Sequence, residues 1–262
     1  MNTSVSPALR TQIHGRVAHL TFARPHAANT IDLEFARELE RAVSAIDANP
    51  LVRAVVMTGE GKNFCFGGDL KGMMASGVDV EAYLRELTTT LHAAMLHLAR
   101  LNAPVIAAVN GTAAGAGLGL VLVADLAIAA RGAKFAPAYI AVGLTPDAGC
   151  SFLLPRAIGY KRAMELFLTN RVLDSARALE WGLVNQVVED DQLPEAAAAL
   201  AARLAAGATG AFGAVKRLMA ESADGLEAQF ARESRSMAAR GGSAEGREGI
   251  AAFLAKRPPN FG

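Results

Sequence analysis

The chain has almost no excess charge of either sign. Its 262 residues hold 26 Lys and Arg against 25 Asp and Glu, a formal net charge of +1. A nucleic-acid surface needs a basic excess to displace counterions, so no electrostatic case for nucleic acid exists. Cysteine is scarce: Cys65 and Cys150 are the two, far apart and without His at metal-ligand spacing. That excludes a disulfide scaffold, suggests no metal site and fits a reduced, cytoplasmic setting. Aromatic residues make up 6% and hydrophobic residues 52%, so the core is mostly Ala, Val, Leu and Ile. Met1 to Gln12 has no apolar run behind a basic start, and no signal peptide is expected. These properties fit a bacterial-type soluble enzyme or an oligomeric scaffold.

Charge is also missing locally. From Ala103 to Ala124 there is none, and Gly111, Gly115, Gly117 and Gly119 punctuate the run. Its length would permit a membrane helix, but its internal order argues otherwise, and no membrane partner is expected. Val105 to Val109 is a short branched run typical of a buried strand. Asn110-Gly111 is a turn signal. Small residues then lead into a short apolar helix, and Asp125 opens another strand-like run, Leu126 to Ala130. A strand, a glycine-rich turn and a helix N-terminus together present free backbone N–H groups. Such a place suits a phosphate or a developing oxyanion.

The remaining chain alternates strands and helices. Thr11 to His14 and Val17 to Phe22 pair across Gly15. Asp32 is placed to cap a helix over Leu33 to Ile46, with Phe35, Leu39, Val43 and Ile46 on one face. Val52 to Thr58 reads as a buried strand and Val78 to Leu101 as a long helix. Asp125 reads as a turn residue at the start of its strand, and Trp181 as core. From Leu193 the composition shifts to Ala-rich helical segments: Leu193 to Ala206, Ala211 to Ser222, Gly225 to Ala239 and Ala244 to Ala255. This predicts an α/β core over 1–200 and a helical C-terminal region over 201–262.

Two glycine-bearing passages each follow a buried strand. One is Phe66-Gly67-Gly68-Asp69-Leu70 and the other runs from Gly111 to Gly119. Neither is a P-loop, because no Lys-Ser/Thr follows the glycines. Gly115, Gly117 and Gly119 alternate, which is not the dinucleotide spacing. Close packing alone would explain either passage; two together favour a shared anionic or oxyanionic centre. Asp147, after Thr145-Pro146, has two readings that are compatible: N-cap of a helix starting at Ala148, or a carboxylate base.

Further segments carry a resemblance. Arg24-Pro25 with Ala28-Asn29, Phe64 to Leu70, Pro104 to Gly111, Ala133-Lys134-Phe135, Gly143 to Pro155, Trp181 to Val184 and Glu248 to Arg257 resemble, in order and spacing, the crotonase (enoyl-CoA hydratase/isomerase) superfamily along nearly the whole chain. The resemblance implies a ββα spiral core with a C-terminal helical region, assembled as homotrimers or dimers of trimers. It implies an acyl-CoA thioester substrate, with coenzyme A as part of the substrate and no tightly bound cofactor. By motif position the thioester oxygen is held by the backbone N–H groups of Gly68 and Ala116. Phe66, Gly67, Asp69, Leu70 and Gly115 surround those donors, and His26 and Ala28 fall where the family's CoA loop lies. Phe253 and Lys256 match positions that cover the CoA of a neighbouring subunit; a surface helix with a solvated lysine explains them equally well.

The departures are informative. The family's hydratases carry two glutamates, at the places of Gly119 and Tyr139, and water addition needs an acid and a base. Glycine supplies neither, and a phenol, with a reference pKa of about 10, is a poor base. A standard hydratase is therefore not expected. The segment Ile140 to Arg156 resembles ring-1,2-epoxyphenylacetyl-CoA isomerases and Δ3,Δ2-enoyl-CoA isomerases, in which one aspartate at the place of Asp147 shuttles a proton. Ala113-Ala114-Gly115, Arg162 to Leu166 and Leu168 to Arg171 resemble 4-chlorobenzoyl-CoA dehalogenases. There the aspartate is a nucleophile, a His at the place of His92 assists hydrolysis, and a Trp stands at the place of Tyr139. His92 is otherwise a helix-face residue with a partly buried ring. Asp69 reads as a local hydrogen-bonding anchor, Tyr139 as lining of the acyl pocket, and Gly119 with Ala141 as a hint of a roomy pocket. A catalytically silent CoA-binding relative is the reading from another class.

Overall fold

The computed structural model describes residues 7–221 and 225–261. The first six residues of the Met1 to Gln12 stretch and Ser222, the expected end of one helix, lie outside the described residues. The chain opens with an antiparallel hairpin of β1 (Leu9–His14) and β2 (Val17–Phe22), turning at Gly15 with φ +60. Asp32 accepts from the Phe35 N–H at 2.8 Å and starts α1 (Leu33–Asp47), whose Phe35, Leu39, Val43 and Ile46 are buried as their spacing predicts.

Next come β3 (Ala54–Gly59), β4 (Asn63–Cys65), α2 (Leu70–Ala75) and α3 (Val80–Arg100). The α3 helix begins two residues later than expected because the Asp79 carboxylate accepts from the Glu81 and Ala82 N–H groups. The uncharged run resolves into β5 (Val105–Val109), β6 (Thr112–Ala114) and α4 (Ala116–Val123). Then follow β7 (Leu126–Ala130), β8 (Lys134–Ala136), α5 (Cys150–Ile158), α6 (Tyr160–Thr169), β9 (Leu173–Asp174), α7 (Ser175–Trp181) and β10 (Gln186–Val188). Four helices close the chain: α8 (Leu193–Ala205), α9 (Thr209–Ala220), α10 (Leu226–Gly241) and α11 (Ala244–Leu254). No single helix among the described residues is long and apolar enough to cross a membrane.

The strands form two sheets. One has the order β1-β2-β3-β5-β7-β10, parallel throughout except for the hairpin. The other has the order β4-β6-β8-β9. Strand β5 is buried at every position, as a parallel strand covered on both faces must be. One face carries the Phe22, Phe35 and Phe64 cluster, with ring centroids 5.1–5.3 Å apart; truncating one such phenylalanine to alanine costs about 3–5 kcal/mol. The other face packs Ala54, Val56, Ile106 and Ile128 against Leu193, Ala197 and Ala201 of α8.

Residue 200 therefore lies inside a helix that packs on the sheet, and α9, α10 and α11 follow it. Arg53 fastens the end of α8, its guanidinium donating to the Ala205 and Gly207 carbonyls at 2.9 and 2.7 Å. Asp125 does more than open a strand. Its carboxylate accepts from the Val105 N–H at 2.8 Å and pairs with Lys216 Nζ of α9 at 2.8 Å. Burial pushes its pKa up, and Lys216 opposes that shift.

Candidate active site

The two glycine passages meet because the strands before them pair in parallel. Strand β4 lies beside β6, with Cys65 opposite Ala113. Parallel strands run out at the same end of a sheet, so the turns that follow both emerge there. Gly67 (φ +84) and Gly115 (φ +53) face each other across that end. A Cβ on Gly67 would stand 2.9 Å from the Ala114 carbonyl oxygen and 3.4 Å from the Ala116 nitrogen. Gly117 is as constrained: a Cβ there would press into the Cys65 backbone, 2.8 Å from its carbonyl carbon.

A cavity of about 470 Å³ opens at this junction, within the size range of small-molecule sites. Phe66, Gly67, Gly68 and Leu70 line one side, and Gly115 and Ala116 lie beside them. Among the described residues, neither the Gly68 nor the Ala116 N–H donates to another protein group. At Gly68 the parallel bridge explains this: Ile31 donates to the Gly67 carbonyl and accepts from Asp69, skipping the Gly68 nitrogen. Ala116 is the first residue of α4, where an N–H has no intrahelical acceptor.

The opposite wall is loop and helix. Ala138, Tyr139, Val142, Leu144, Thr145, Pro146 and Asp147 come from the segment between β8 and α5. Leu84, Leu87, Thr88 and Leu91 come from α3. Nothing in the sequence singles out these four as cavity wall. Helical periodicity was the available signal, and it does not separate a core face from a cavity wall.

Asp147 does not cap a helix, which corrects one of its two readings. The helix starts at Cys150 behind Gly149 (φ +74), with no side-chain cap. The Asp147 carboxylate instead accepts from His92 Nε2 at 2.6 Å in the tautomer protonated there. The His92 ring is not partly buried in the way expected: its side chain is 49% exposed against 27% for Asp147. His92 is not among the residues that line the cavity. His97, five positions on and so on another face of α3, meets Asp47 of α1 at 3.0 Å.

Tyr139 lines the cavity, and its hydroxyl donates to the Asp147 carbonyl at 3.1 Å. Burial, with Cys150 beside it, pushes the phenol pKa far up, so it is a neutral donor here. Cys65 and Cys150 are buried, which lifts each thiol to a pKa of about 12, as packing residues require. Gly119 does not open onto the cavity. A Cβ there would fall 2.5 Å from the Ala148 Cβ and closer still to the Ala148 carbonyl oxygen. The expected roomy pocket at Gly119 and Ala141 is therefore absent: the loop fills the first place, and Ala141 is not in the lining.

The other expected residues lie nearby or apart. Asp69 caps α2, accepting from the Gly72 N–H at 3.0 Å. His26 sits in a short 3-10 turn, and Ala28 (φ +52) follows it, its carbonyl accepting from Phe66 at 3.1 Å. Asn29, fully buried, ties this loop to the passage by donating to the carbonyls of Glu60, Asn63 and Phe64 at 2.8–3.2 Å. Phe253 on α11 is 83% exposed, and Lys256 follows that helix with φ +51. Neither lines the cavity of its own chain.

Comparison with known proteins places this geometry. The family model described as enoyl-CoA hydratase/isomerase matches residues 12–262. A Rhodobacter capsulatus protein named "Probable enoyl-CoA hydratase" is 41% identical over 97% of this chain and 97% of its own. The 1,2-epoxyphenylacetyl-CoA isomerase of Escherichia coli is 38% identical over 94% of each chain. The 4-chlorobenzoyl coenzyme A dehalogenase-2 of an Arthrobacter species is 37% identical over 92% of this chain and 88% of its own. The solved structure of an enoyl-CoA hydratase of Mycobacterium smegmatis superposes with a TM-score of 0.92 at 34% identity, covering 98% of this chain and 99% of that one. With such matches running nearly end to end, the chain belongs to the enoyl-CoA hydratase/isomerase family, the crotonase family.

Proposed function

We propose that the protein is an acyl-CoA isomerase that shifts a double bond, or rearranges an aromatic-derived acyl group, with Asp147 as its one proton shuttle. The observation that carries this reading is the placement of Asp147 on the wall of the cavity that Gly68 and Ala116 line. Two unengaged N–H groups can receive the thioester oxygen. Preorganised donors of this kind stabilise an enolate, and losing one costs about 3–4 kcal/mol. Asp147 takes the α proton, and the electrons of that C–H bond move onto the thioester oxygen. The protonated carboxyl then returns the proton at the γ carbon, and the double bond comes to lie between the α and β carbons. One base suffices, and a second carboxylate at 119 or 139 is not required. The reaction uses no resident cofactor. In an assembly of three or six chains, Phe253 and Lys256 would cover the CoA of a neighbour.

A second reading is favoured by His92, 2.6 Å from Asp147. In that reading Asp147 attacks the halogen-bearing ring carbon of a halobenzoyl-CoA, the carbon–halogen bond breaks and halide leaves, and His92 assists the water that hydrolyses the resulting aryl ester and frees Asp147. Hydrogen–deuterium exchange at the α carbon of a β,γ-enoyl-CoA, read by mass spectrometry, separates the two. Exchange that disappears in Asp147→Asn is the expected result. A covalent aryl adduct on Asp147 in a single turnover of a halobenzoyl-CoA would overturn it. Tight CoA-ester binding with no exchange and no adduct would assign the silent, CoA-binding class.

A further inference from the structure

Asp147 lies in a loop with no regular structure, so something outside its own backbone must set its position. Three contacts converge on that short segment. The Asp147 carbonyl receives two hydrogen bonds, from the Tyr139 hydroxyl at 3.1 Å and from the Cys150 N–H at 3.0 Å. The next residue, Ala148, is fully buried and holds φ +51, a conformation that an L side chain adopts at a cost. Its Cβ and carbonyl occupy the space that any side chain at 119 would fill. Strain at a non-glycine residue persists where the surroundings over-determine it. Here the surroundings are α4 at Gly119 and the Tyr139 hydroxyl on the preceding carbonyl.

We infer that Gly119 and Tyr139 are positioning residues: together they form a mount that clamps the backbone of residues 147–148 and so aims the Asp147 carboxylate into the cavity. The inference rests on the reading of Asp147 as the proton shuttle. Gly119 acts by what it lacks. With no Cβ, it lets α4 take Ala148 at close range, and that contact fixes the height of the loop above the Ala116 N–H. Tyr139 acts through its hydroxyl, which holds the Asp147 carbonyl and so limits how the peptide between Asp147 and Ala148 can turn. Neither group needs to touch substrate. Catalytic groups need placement within about half an ångström, which is what such a support supplies.

The test uses a reporter independent of turnover. His92 meets the carboxylate, so its ring carbon-bound proton resonance, in protein labelled at histidine and without substrate, senses where Asp147 stands. Asp147→Asn sets the scale of the change. Gly119→Ala is expected to move the resonance by a comparable amount, and Gly119→Ala with Ala148→Gly to move it part of the way back. Tyr139→Phe, which keeps the ring and the fold, is expected to move it by a smaller amount. In α-proton exchange both single variants are expected to lower kcat about tenfold or more with KM within twofold. An unmoved His92 resonance in folded Gly119→Ala and Tyr139→Phe overturns the mount. So does a Tyr139→Phe effect confined to KM. A moved resonance with unchanged exchange leaves the mount standing and overturns the shuttle role of Asp147.

Discussion

The two walls of the cavity are made differently. The wall at Gly67–Gly68 and Gly115–Ala116 is backbone: two parallel strands end there, and glycine stands at both positive-φ positions, Gly67 at +84 and Gly115 at +53. The wall at 138–149 is side chain. It carries Asp147, and two of its positive-φ positions are alanines, Ala138 at +60 and Ala148 at +51. The first wall is relaxed and set by sheet register. The second is strained and held by its neighbours. A gripping function tolerates the first arrangement, because N–H groups cannot titrate and the register cannot slip without moving the core. A proton-transfer function needs the second, because a carboxylate must reach into the cavity at one height and no regular element ends there.

The largest effect falls on the side-chain wall. Asp147→Asn keeps the shape and removes the proton carrier, so isomerisation is expected to fall by about 10²–10⁴, the range of a lost general acid–base. Binding of a saturated acyl-CoA, followed by calorimetry, is expected to hold. Loss of binding with loss of rate would show that the two walls are not separable.

The backbone wall is next. Gly67→Ala puts a methyl 2.9 Å from the Ala114 carbonyl oxygen in a φ +84 conformation, so the peptide carrying the Gly68 N–H must turn. Loss of one aligned donor predicts a fall of about 10²–10³ in kcat. The fold is expected to survive, as circular dichroism would show. A rate near wild type would remove Gly68 from the grip.

His92→Gln probes how much of the side-chain wall depends on its one exposed partner. The glutamine amide can still donate to the Asp147 carboxylate, while the imidazole, the group able to take up or release a proton there, is gone. A fall of about threefold to tenfold in exchange is expected, since hydrogen bonds to charged groups contribute about 1.5–3 kcal/mol and the amide retains much of that. A loss as large as that of Asp147→Asn, confined to turnover of an aryl-CoA, would instead favour the nucleophilic reading.

The same contrast explains what the sequence revealed. The backbone wall was legible because glycine leaves a mark: Gly67-Gly68 and the Gly111 to Gly119 run follow buried strands, and periodicity located those strands. The long α3 helix was legible from its periodicity, although its Asp79 cap and exact start were not. The loop wall was not. Asp147 after Pro146 looks like an N-cap, and nothing local shows that Gly149 takes a positive φ and delays the helix to Cys150. That His92 lies against Asp147 depends on a contact across 55 positions, which no local pattern contains. Gly119 looked like space because a missing side chain and a close neighbour give the same letter. Residue 200 looked like a boundary because composition changes there, although α8 spends its Ala face on the sheet.

The smallest effect concerns strain itself. Ala138 holds φ +60 at the edge of the cavity. Ala138→Gly releases about 1–2 kcal/mol of left-handed strain and adds about 0.4–1 kcal/mol of unfolded-state entropy, for a net gain of about 0.5–1 kcal/mol. In a chain of this size that is a rise of about 2 °C in Tm by calorimetry. Turnover is expected to fall slightly in the same variant, because a glycine lets the Tyr139 segment wander and Tyr139 holds the Asp147 carbonyl. A variant that gains stability and loses rate shows that the strain serves the aim of Asp147. A variant that gains stability at full rate shows that the mount rests on Ala148 and Gly119, and that the strain at Ala138 is only a consequence of the loop's path.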